Sequence, residues 1–316
     1  MNKLNITWCW PDILNLHGDR GNVMALVRIA EKMGLEAEVH KVVNFGDEID
    51  LDNTDILLLN PGEFKSCEYI VNAFSRIKED LDDYIYRGGV ILAVGTTGAS
   101  FGKTIRKLDG TAVTGLGYLD MECRERDSIV GDDLICKMRE TGFDLNGSQI
   151  QVMDTFLNGD IALGDVEYGY GNCSYEDRRE GARTENLIFT NMLGPVLVKN
   201  PWLAQELILW AMSSKGVMDL PKPDEGEFEL ERKSLECIRR YNQTKQNKSG
   251  NGPGIMNPAR LDGIFIRLEE FAHAAEFGMI HVNLHGFPAF IRIFGFKSIE
   301  NRPVFCQNSV QIVIGE

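Results

Sequence analysis

This sequence contains no CxxC pair. Its seven cysteines (Cys9, Cys67, Cys123, Cys136, Cys173, Cys237 and Cys306) are odd in number and scattered. That pattern excludes a disulfide framework and a zinc site, and fits a reduced, cytoplasmic protein. The opening residues Met1-Asn2-Lys3-Leu4-Asn5-Ile6-Thr7-Trp8 lack the basic-then-apolar layout of a secretory signal. No apolar run is long enough to span a bilayer, so no membrane insertion is expected. Basic residues are in deficit: 33 Lys and Arg stand against 47 Asp and Glu, a formal net charge of -14. A general nucleic-acid binder needs cations to displace phosphate counterions, so nucleic acid is not an expected partner. An anionic membrane surface is disfavoured for the same reason. There is no internal repeat, and no metal or cofactor is expected.

What is present is an ordinary globular composition. Of the 316 residues, 43% are hydrophobic and 25% charged, enough for roughly two domains without staples. The first two hundred residues alternate short apolar runs with helical patterns. Leu4 to Trp10 reads as a strand, Asn22 to Met33 as a helix with Val23, Leu26, Val27 and Ile29-Ala30 on one face, and Glu36 to Val43 as a strand. Ile56-Leu57-Leu58-Leu59 is a continuous apolar run, as in a parallel strand covered on both faces. Cys67 to Tyr86 reads as one helix, and Val90 to Val94 as a second buried strand. This βαβ rhythm predicts a three-layer α/β fold with a mostly parallel sheet.

From about residue 111 to 170 the rhythm turns to short strands and turns, and Asn200 to Lys215 then reads as a helix with Pro201 in its first turn. Asp219 to Glu227 is linker-like and Phe228 to Lys248 a charged, solvated helix that could also be a docking arm. After the break at Ser249-Gly250-Asn251-Gly252-Pro253-Gly254, the runs Ile264 to Leu268, Met279 to Leu284, Ala289 to Phe294 and Val310 to Ile314 look like strands. The expected organisation is a first domain over 1–216, a linker and charged helix over 217–254, and a small β-rich extension over 255–316.

Open α/β sheets carry function at the carboxyl ends of their strands. Four such stretches stand out here. They are Pro11-Asp12-Ile13-Leu14-Asn15-Leu16-His17-Gly18-Asp19-Arg20-Gly21-Asn22; Asn60-Pro61-Gly62-Glu63-Phe64; Ala93-Val94-Gly95-Thr96-Thr97-Gly98-Ala99-Ser100-Phe101-Gly102; and Gly169-Tyr170-Gly171-Asn172 with Thr190-Asn191-Met192-Leu193-Gly194-Pro195-Val196-Leu197. As a set they resemble the cobyric-acid-synthase-like branch of class I glutamine amidotransferases. Within it they are most similar to the glutaminase subunits that supply ammonia to a Mur-ligase-like partner in bacterial cell-wall (peptidoglycan) synthesis.

The resemblance implies a class I amidotransferase-like domain over residues 1–216 and a ligase-subunit role. It also locates what is missing. The family loop motif keeps Gly18, Asp19, Gly21 and Asn22, with His17 where a tyrosine is usual. The nucleophilic cysteine of the family falls on Gly95, its two glycines on Thr96 and Thr97, and its general-base histidine on Leu193. A side chain without a thiol forms no thioester, and leucine accepts no proton. The glycine run that donates an oxyanion-hole N–H is reduced to Gly62, and Pro61 has no N–H to give. The arginine that grips the glutamine carboxylate falls near Ser128, with Arg124 and Arg126 as nearby substitutes. The expected pocket is thus Gly62, Thr96, Thr97, Ser128 and Gly194, with no catalytic residue. Cys67 and Cys123 offer no replacement nucleophile. The implied function is a pseudoenzyme that partners an amide-forming, ATP-dependent ligase; a small-molecule-binding module is the alternative.

Three further motifs compete. Gly98-Ala99-Ser100-Phe101-Gly102 matches the GxSxG elbow of serine hydrolases, with His273, His281 or His285 to complete a triad. Its distance from the strand end places Ser100 inside the following helix instead. Gly102-Lys103-Thr104 imitates the end of a P-loop, but Thr97 stands where the first glycine is required. His281 and His285 are four apart; on a strand that separation is about 13 Å, too far for one metal ion.

Overall fold

The computed structural model describes residues 2–249 and, beyond them, three strands between residues 279 and 314. The chain divides into two compact units, Met1–Ile255 and Met256–Glu316.

The first unit opens with β1 (Lys3–Cys9), α1 (Gly21–Lys32), β2 (Glu36–Val42) and β3 (Ile56–Leu59). It continues with α2 (Ser66–Ser75), α3 (Lys78–Tyr86) and β4 (Val90–Val94), followed by a 3-10 segment, Gly95–Phe101. Two short strands, β5 (Thr104–Arg106) and β6 (Ala112–Thr114), precede a long hairpin of β7 (Met121–Met138) and β8 (Asp144–Leu157). Then come β9 (Gly164–Tyr168), β10 (Arg179–Glu180), β11 (Ala182–Thr184) and β12 (Leu187–Thr190). Helices α4 (Val196–Lys199), α5 (Pro201–Ser214) and α6 (Glu229–Ser249) complete the unit.

The central sheet has the order β11-β12-β4-β3-β1-β2. All its neighbours run parallel except β11, the antiparallel edge. Alternation sorts the side chains into two cores. Leu4, Ile6, Ile56, Leu58, Val90, Leu92 and Ile188 join α1 and α5 on one face. Leu57, Leu59, Ile91, Ala93 and Phe189 join α2 and α3 on the other. Both faces are covered, so β3 and β4 are buried at every position, which is why they read as uninterrupted apolar runs. A second sheet, β10-β9-β7-β5-β6 with β8 on β7, packs into the same cores. The architecture is the expected three-layer α/β fold.

Two local expectations are corrected. The helix expected over Cys67 to Tyr86 is interrupted at Ile77, whose φ of -121° and ψ of 34° are not helical. Ile77 turns its side chain into the α2–α3 core, so burial carries the apolar period across the break. Between residues 111 and 170 the strands are not all short: β7 and β8 hold 18 and 14 residues. The irregularity between Glu125 and Val130 hides their length in the sequence. Helix α6 lies against the unit through buried Leu235 and through Arg239, which pairs with Glu167 and Asp144.

In the second unit β13 (Met279–Leu284), β14 (Phe287–Arg292) and β15 (Gln311–Ile314) form a three-stranded antiparallel sheet. His281 lies on β13 opposite Phe290. The run Ile264 to Leu268, His273 and His285 lie outside the described residues.

Candidate functional site

The four stretches singled out above meet at the carboxyl ends of β1, β3, β4 and β12. Asn22, fully buried in the first turn of α1, joins three of them. Its amide donates to Asn60 Oδ1 at 3.0 Å, directly after β3, and its Oδ1 accepts the Leu197 N–H at 2.9 Å in α4. A β-carbon on Gly21 would stand 2.5 Å from Pro195 Cγ, so only glycine lets α1 approach the Gly194-Pro195 turn this closely. The conformations of His17 (φ 61°) and Gly18 (φ 76°) turn the chain into that helix.

Gly95 opens the turn after β4 with φ 62°, a left-handed conformation that costs a side-chain-bearing residue roughly 1–2 kcal/mol. A β-carbon there would lie 3.0 Å from Leu193 Cδ2 and 3.0 Å from Pro61 Cβ. Ordinary carbon contacts are about 3.5–4.0 Å. A side chain at position 95 would therefore press on the side chains at 193 and 61, which would have to give way by a few tenths of an ångström. Leu193 is only 3% exposed. It is held by a two-way backbone bridge to Ser148, with N–H···O distances of 2.8 and 3.0 Å.

Thr96 and Thr97 lock the same turn to its neighbours. Thr96 Oγ1 donates to the Gly62 carbonyl at 2.6 Å and accepts the Gly62 N–H at 3.3 Å. Thr97 Oγ1 reaches the Val94 and Leu59 carbonyls at 2.9 and 3.2 Å. The Gly62 N–H is thus occupied by a hydroxyl within the chain. Gly194, with φ 74°, faces Ser148 Oγ and Lys199 Nζ, which are themselves hydrogen-bonded at 3.0 Å.

Ser128 is not drawn into this cluster. It sits in the β7 irregularity, exposed, where its carbonyl accepts from Arg126 Nε at 3.3 Å. Arg126 is itself engaged by Asp154 Oδ1 at 2.6 Å and Tyr170 OH at 2.8 Å, and Arg124 by Glu122 at 2.6 Å. Among the described residues no hydrogen bond links Ser128 to Gly62, Gly95 or Leu193.

Two buried carboxylates, Asp19 and Glu180, border the site. Asp19, fully buried, keeps Oδ1 3.4 Å from Asn22 Nδ2, whereas its Oδ2 has no hydrogen-bond partner. Burial pushes its pKa up to about 7, against the opposing pull of the Gly194 backbone, the Asn22 amide and the Lys199 ammonium. Lys199 is shifted down, again mainly by burial. Glu180 is also fully buried and raised by desolvation, but satisfied: Thr190 Oγ1 at 2.6 Å, Asn191 N at 2.9 Å and Asn191 Nδ2 at 3.0 Å all donate to it. Asn172, from the Gly169-Tyr170-Gly171-Asn172 stretch, links this group to Gly181 and Asn191. Asp19 stood out in the sequence only as part of a loop motif; nothing marked Glu180.

The competing motifs take inert positions. Ser100 is fully buried inside the 3-10 segment, donating to the Cys67 carbonyl at 3.3 Å. Lys103 pairs with Asp120 at 2.8 Å, and Thr104 begins β5. Cys67 and Cys123 are buried thiols pushed up to about 12 by desolvation, far from the thiolate a nucleophile needs. Among the described residues no three His, Cys, Asp or Glu side chains are placed to hold a metal ion. Nor is any helix there long and apolar enough to cross a membrane.

Comparison with known proteins decides the family. A lipid II isoglutaminyl synthase (glutamine-hydrolyzing) subunit GatD of Staphylococcus aureus (strain N315) is 30% identical over 252 residues, covering 78% of this chain and 100% of that protein. The chain belongs to the GatD family of glutamine amidotransferase-like proteins. A second GatD, from Streptococcus pneumoniae (strain ATCC BAA-255 / R6), is 30% identical over 226 residues, covering 70% of this chain and 85% of its own length. Among solved structures, a glutamine amidotransferase aligns at 14% identity over 66% of this chain and 98% of its own, with a TM-score of 0.45. No family model matches.

Proposed function

We propose that this GatD-like chain is a glutaminase-type subunit without glutaminase activity, acting as a structural or regulatory partner of a Mur-ligase-like, ATP-dependent amide-forming protein in cell-wall synthesis. The observation that carries the reading is the closeness of Leu193 and Pro61 to the place where a β-carbon at position 95 would stand. A thioester mechanism needs a nucleophile, a base beside it and free N–H donors for the oxyanion. The three positions that the family resemblance assigns to these roles hold a glycine, a leucine and a proline. The neighbouring Gly62 N–H is taken by Thr96 Oγ1. Loss of a nucleophile or of its base each removes most of the rate, and the losses are not additive. The partner assignment is supported by the two GatD relatives, each named as a subunit of a synthase.

The test is a tagged pull-down from the native host, with the eluate assayed for glutamate release from glutamine. A co-purifying ATP-dependent ligase and no glutamate above background is the expected result. Glutamate release by the chain alone overturns it.

A further inference from the structure

The outward side of α1 differs from the rest of the surface in how its charges are used. Among the described side chains, every arginine except Arg20 and Arg28 holds an acid, a backbone carbonyl or an aromatic ring. Arg20 and Arg28 are both exposed and have none of these partners, in a chain of formal net charge -14. Arg20 caps α1 with helical φ and ψ of -50° and -24°. Residues at i, i+4 and i+8 share one helix face, so Arg20, Met24 and Arg28 form a stripe about 12 Å long. Glu31 is the only acid in α1.

The stripe borders apolar surface. Met24, midway along it, is 64% exposed, and Val198 of α4 is 46% exposed. Val198 Cγ2 lies 3.2 Å from where a β-carbon on Gly21 would stand, so it sits beside the first turn of α1. Between these helices and the start of α6 runs a groove of about 370 Å³. Buried Ile29, Leu197 and Phe228 form its floor, and Met24, Val198 and Arg28 its rim. Glu227 in the groove is paired with Lys32, and Glu231 on the α6 wall keeps Oε2 buried. Exposed methionine and arginine around an apolar depression are what the centres of protein interfaces are enriched in.

We propose that this face docks an acidic segment of the ligase partner, with one apolar side chain seated in the groove and a carboxylate on either side of it. The inference rests on the partner reading given above. The two carboxylates meet Arg20 and Arg28, whose guanidinium forks bind carboxylate through paired N–H···O bonds. An exposed ion pair contributes little by itself. An apolar side chain that drives water from the groove lowers the local dielectric and strengthens both pairs. The net negative charge of the chain repels an acidic segment elsewhere, so the unpaired arginines fix where it docks. A nucleic acid or an anionic membrane needs a wider cationic field than two arginines supply.

The experiment is quantitative recovery of the ATP-dependent ligase on the tagged full chain in the native host. Three chains are compared: the wild type, Arg20→Glu with Arg28→Glu, and Arg76→Glu with Lys107→Glu as a charge-matched control on the α2 side of the sheet. The reversal at 20 and 28 should cut recovery about tenfold or more, as loss of interfacial arginines does, and the control should not. A photo-crosslinking phenylalanine analogue at position 24 should join a ligase peptide with Asp or Glu on both sides of an apolar residue. Melting curves verify folding; Arg20→Gln with Arg28→Gln replaces the reversal if that variant does not fold. Ligase recovered equally by the wild type and the folded variants, or a crosslinked peptide without acids, overturns this docking face and leaves the partner reading intact. No ligase on any of the chains overturns both. Binding of the wild type to phosphatidylglycerol vesicles that the same variants lose assigns the face to a membrane and overturns the protein occupant.

Discussion

Substituting Gly95 by alanine tests the packing that defines the site. Three terms set the expected cost. A residue bearing a β-carbon at φ 62° costs roughly 1–2 kcal/mol. Contacts of 3.0 Å with Leu193 Cδ2 and Pro61 Cβ make the site overpacked, for roughly 1–3 kcal/mol more. Lowered entropy of the unfolded chain returns roughly 0.4–1 kcal/mol. The net loss is about 1–5 kcal/mol. Leu193→Ala alone should cost about 2–5 kcal/mol for the cavity it leaves. In the double variant the Leu193 clash is gone and the new methyl fills part of that cavity, so the double loss should fall short of the sum by about 1 kcal/mol or more. The assay is urea unfolding of all four proteins, read as a double-mutant cycle. Additivity within about 0.3–0.5 kcal/mol, the behaviour of independent sites, refutes the contact and with it the physical basis of the filled pocket.

Asp19 gives a pH signature. Its pKa in the folded state is raised from 3.8 to about 7, so between these values the folded chain holds a proton that the unfolded chain has released. Its contribution is full below the unfolded value and is lost as pH rises through about 7. Asp19→Asn should flatten the decline in melting temperature over that window, leaving any slope from Glu180, which is raised in the same direction; an unchanged slope argues against a buried Asp19. A second prediction concerns chemistry. Gly95→Cys combined with Leu193→His should stay at background in a glutamate-release assay, because Thr96 still holds the Gly62 N–H and one oxyanion donor is worth about 10²–10³ in rate. Adding Thr96→Gly and Pro61→Gly should raise turnover; activity in the first variant alone contradicts the occupied-donor argument. Finally, Glu180→Ala strands the Thr190 hydroxyl and both Asn191 donors in a buried setting. It should cost roughly 1–3 kcal/mol for each donor left unpaired in denaturant unfolding, and a total loss under about 1 kcal/mol would show that these groups find other partners.

Much of the fold is legible without coordinates. Ile56-Leu57-Leu58-Leu59 and Val90 to Val94 are uninterrupted apolar runs because helices cover both faces of their sheet, and a segment buried on both sides has no polar positions to spare. The start of α5 follows from Pro201, which fits a first helical turn where its missing N–H is not needed. The break at Ile77 is not legible, because no glycine or proline marks it and the partly buried Ile77 preserves the apolar pattern. The length of β7 is concealed by its charged residues: Arg124 to Asp127 interrupt the alternation where the ladder with β8 slips.

The same division runs through the site. The amino-acid sequence alone determined which chemical groups are present: a thiol cannot be supplied by Gly95, a proton acceptor by Leu193, or an N–H by Pro61, wherever the chain puts them. It also determined the parallel α/β plan, since strand and helix periodicities are local properties. Only the tertiary structure decided that Pro61 and Leu193, from the ends of two other strands, come within 3.0 Å of where a β-carbon on Gly95 would stand. It alone decided that Thr96 takes the Gly62 N–H, and that Asp19 is buried deeply enough to hold its proton near neutral pH. Composition and spacing report what a residue can do; desolvation and contact depend on which distant residues arrive beside it, and that is settled by packing across the sheet.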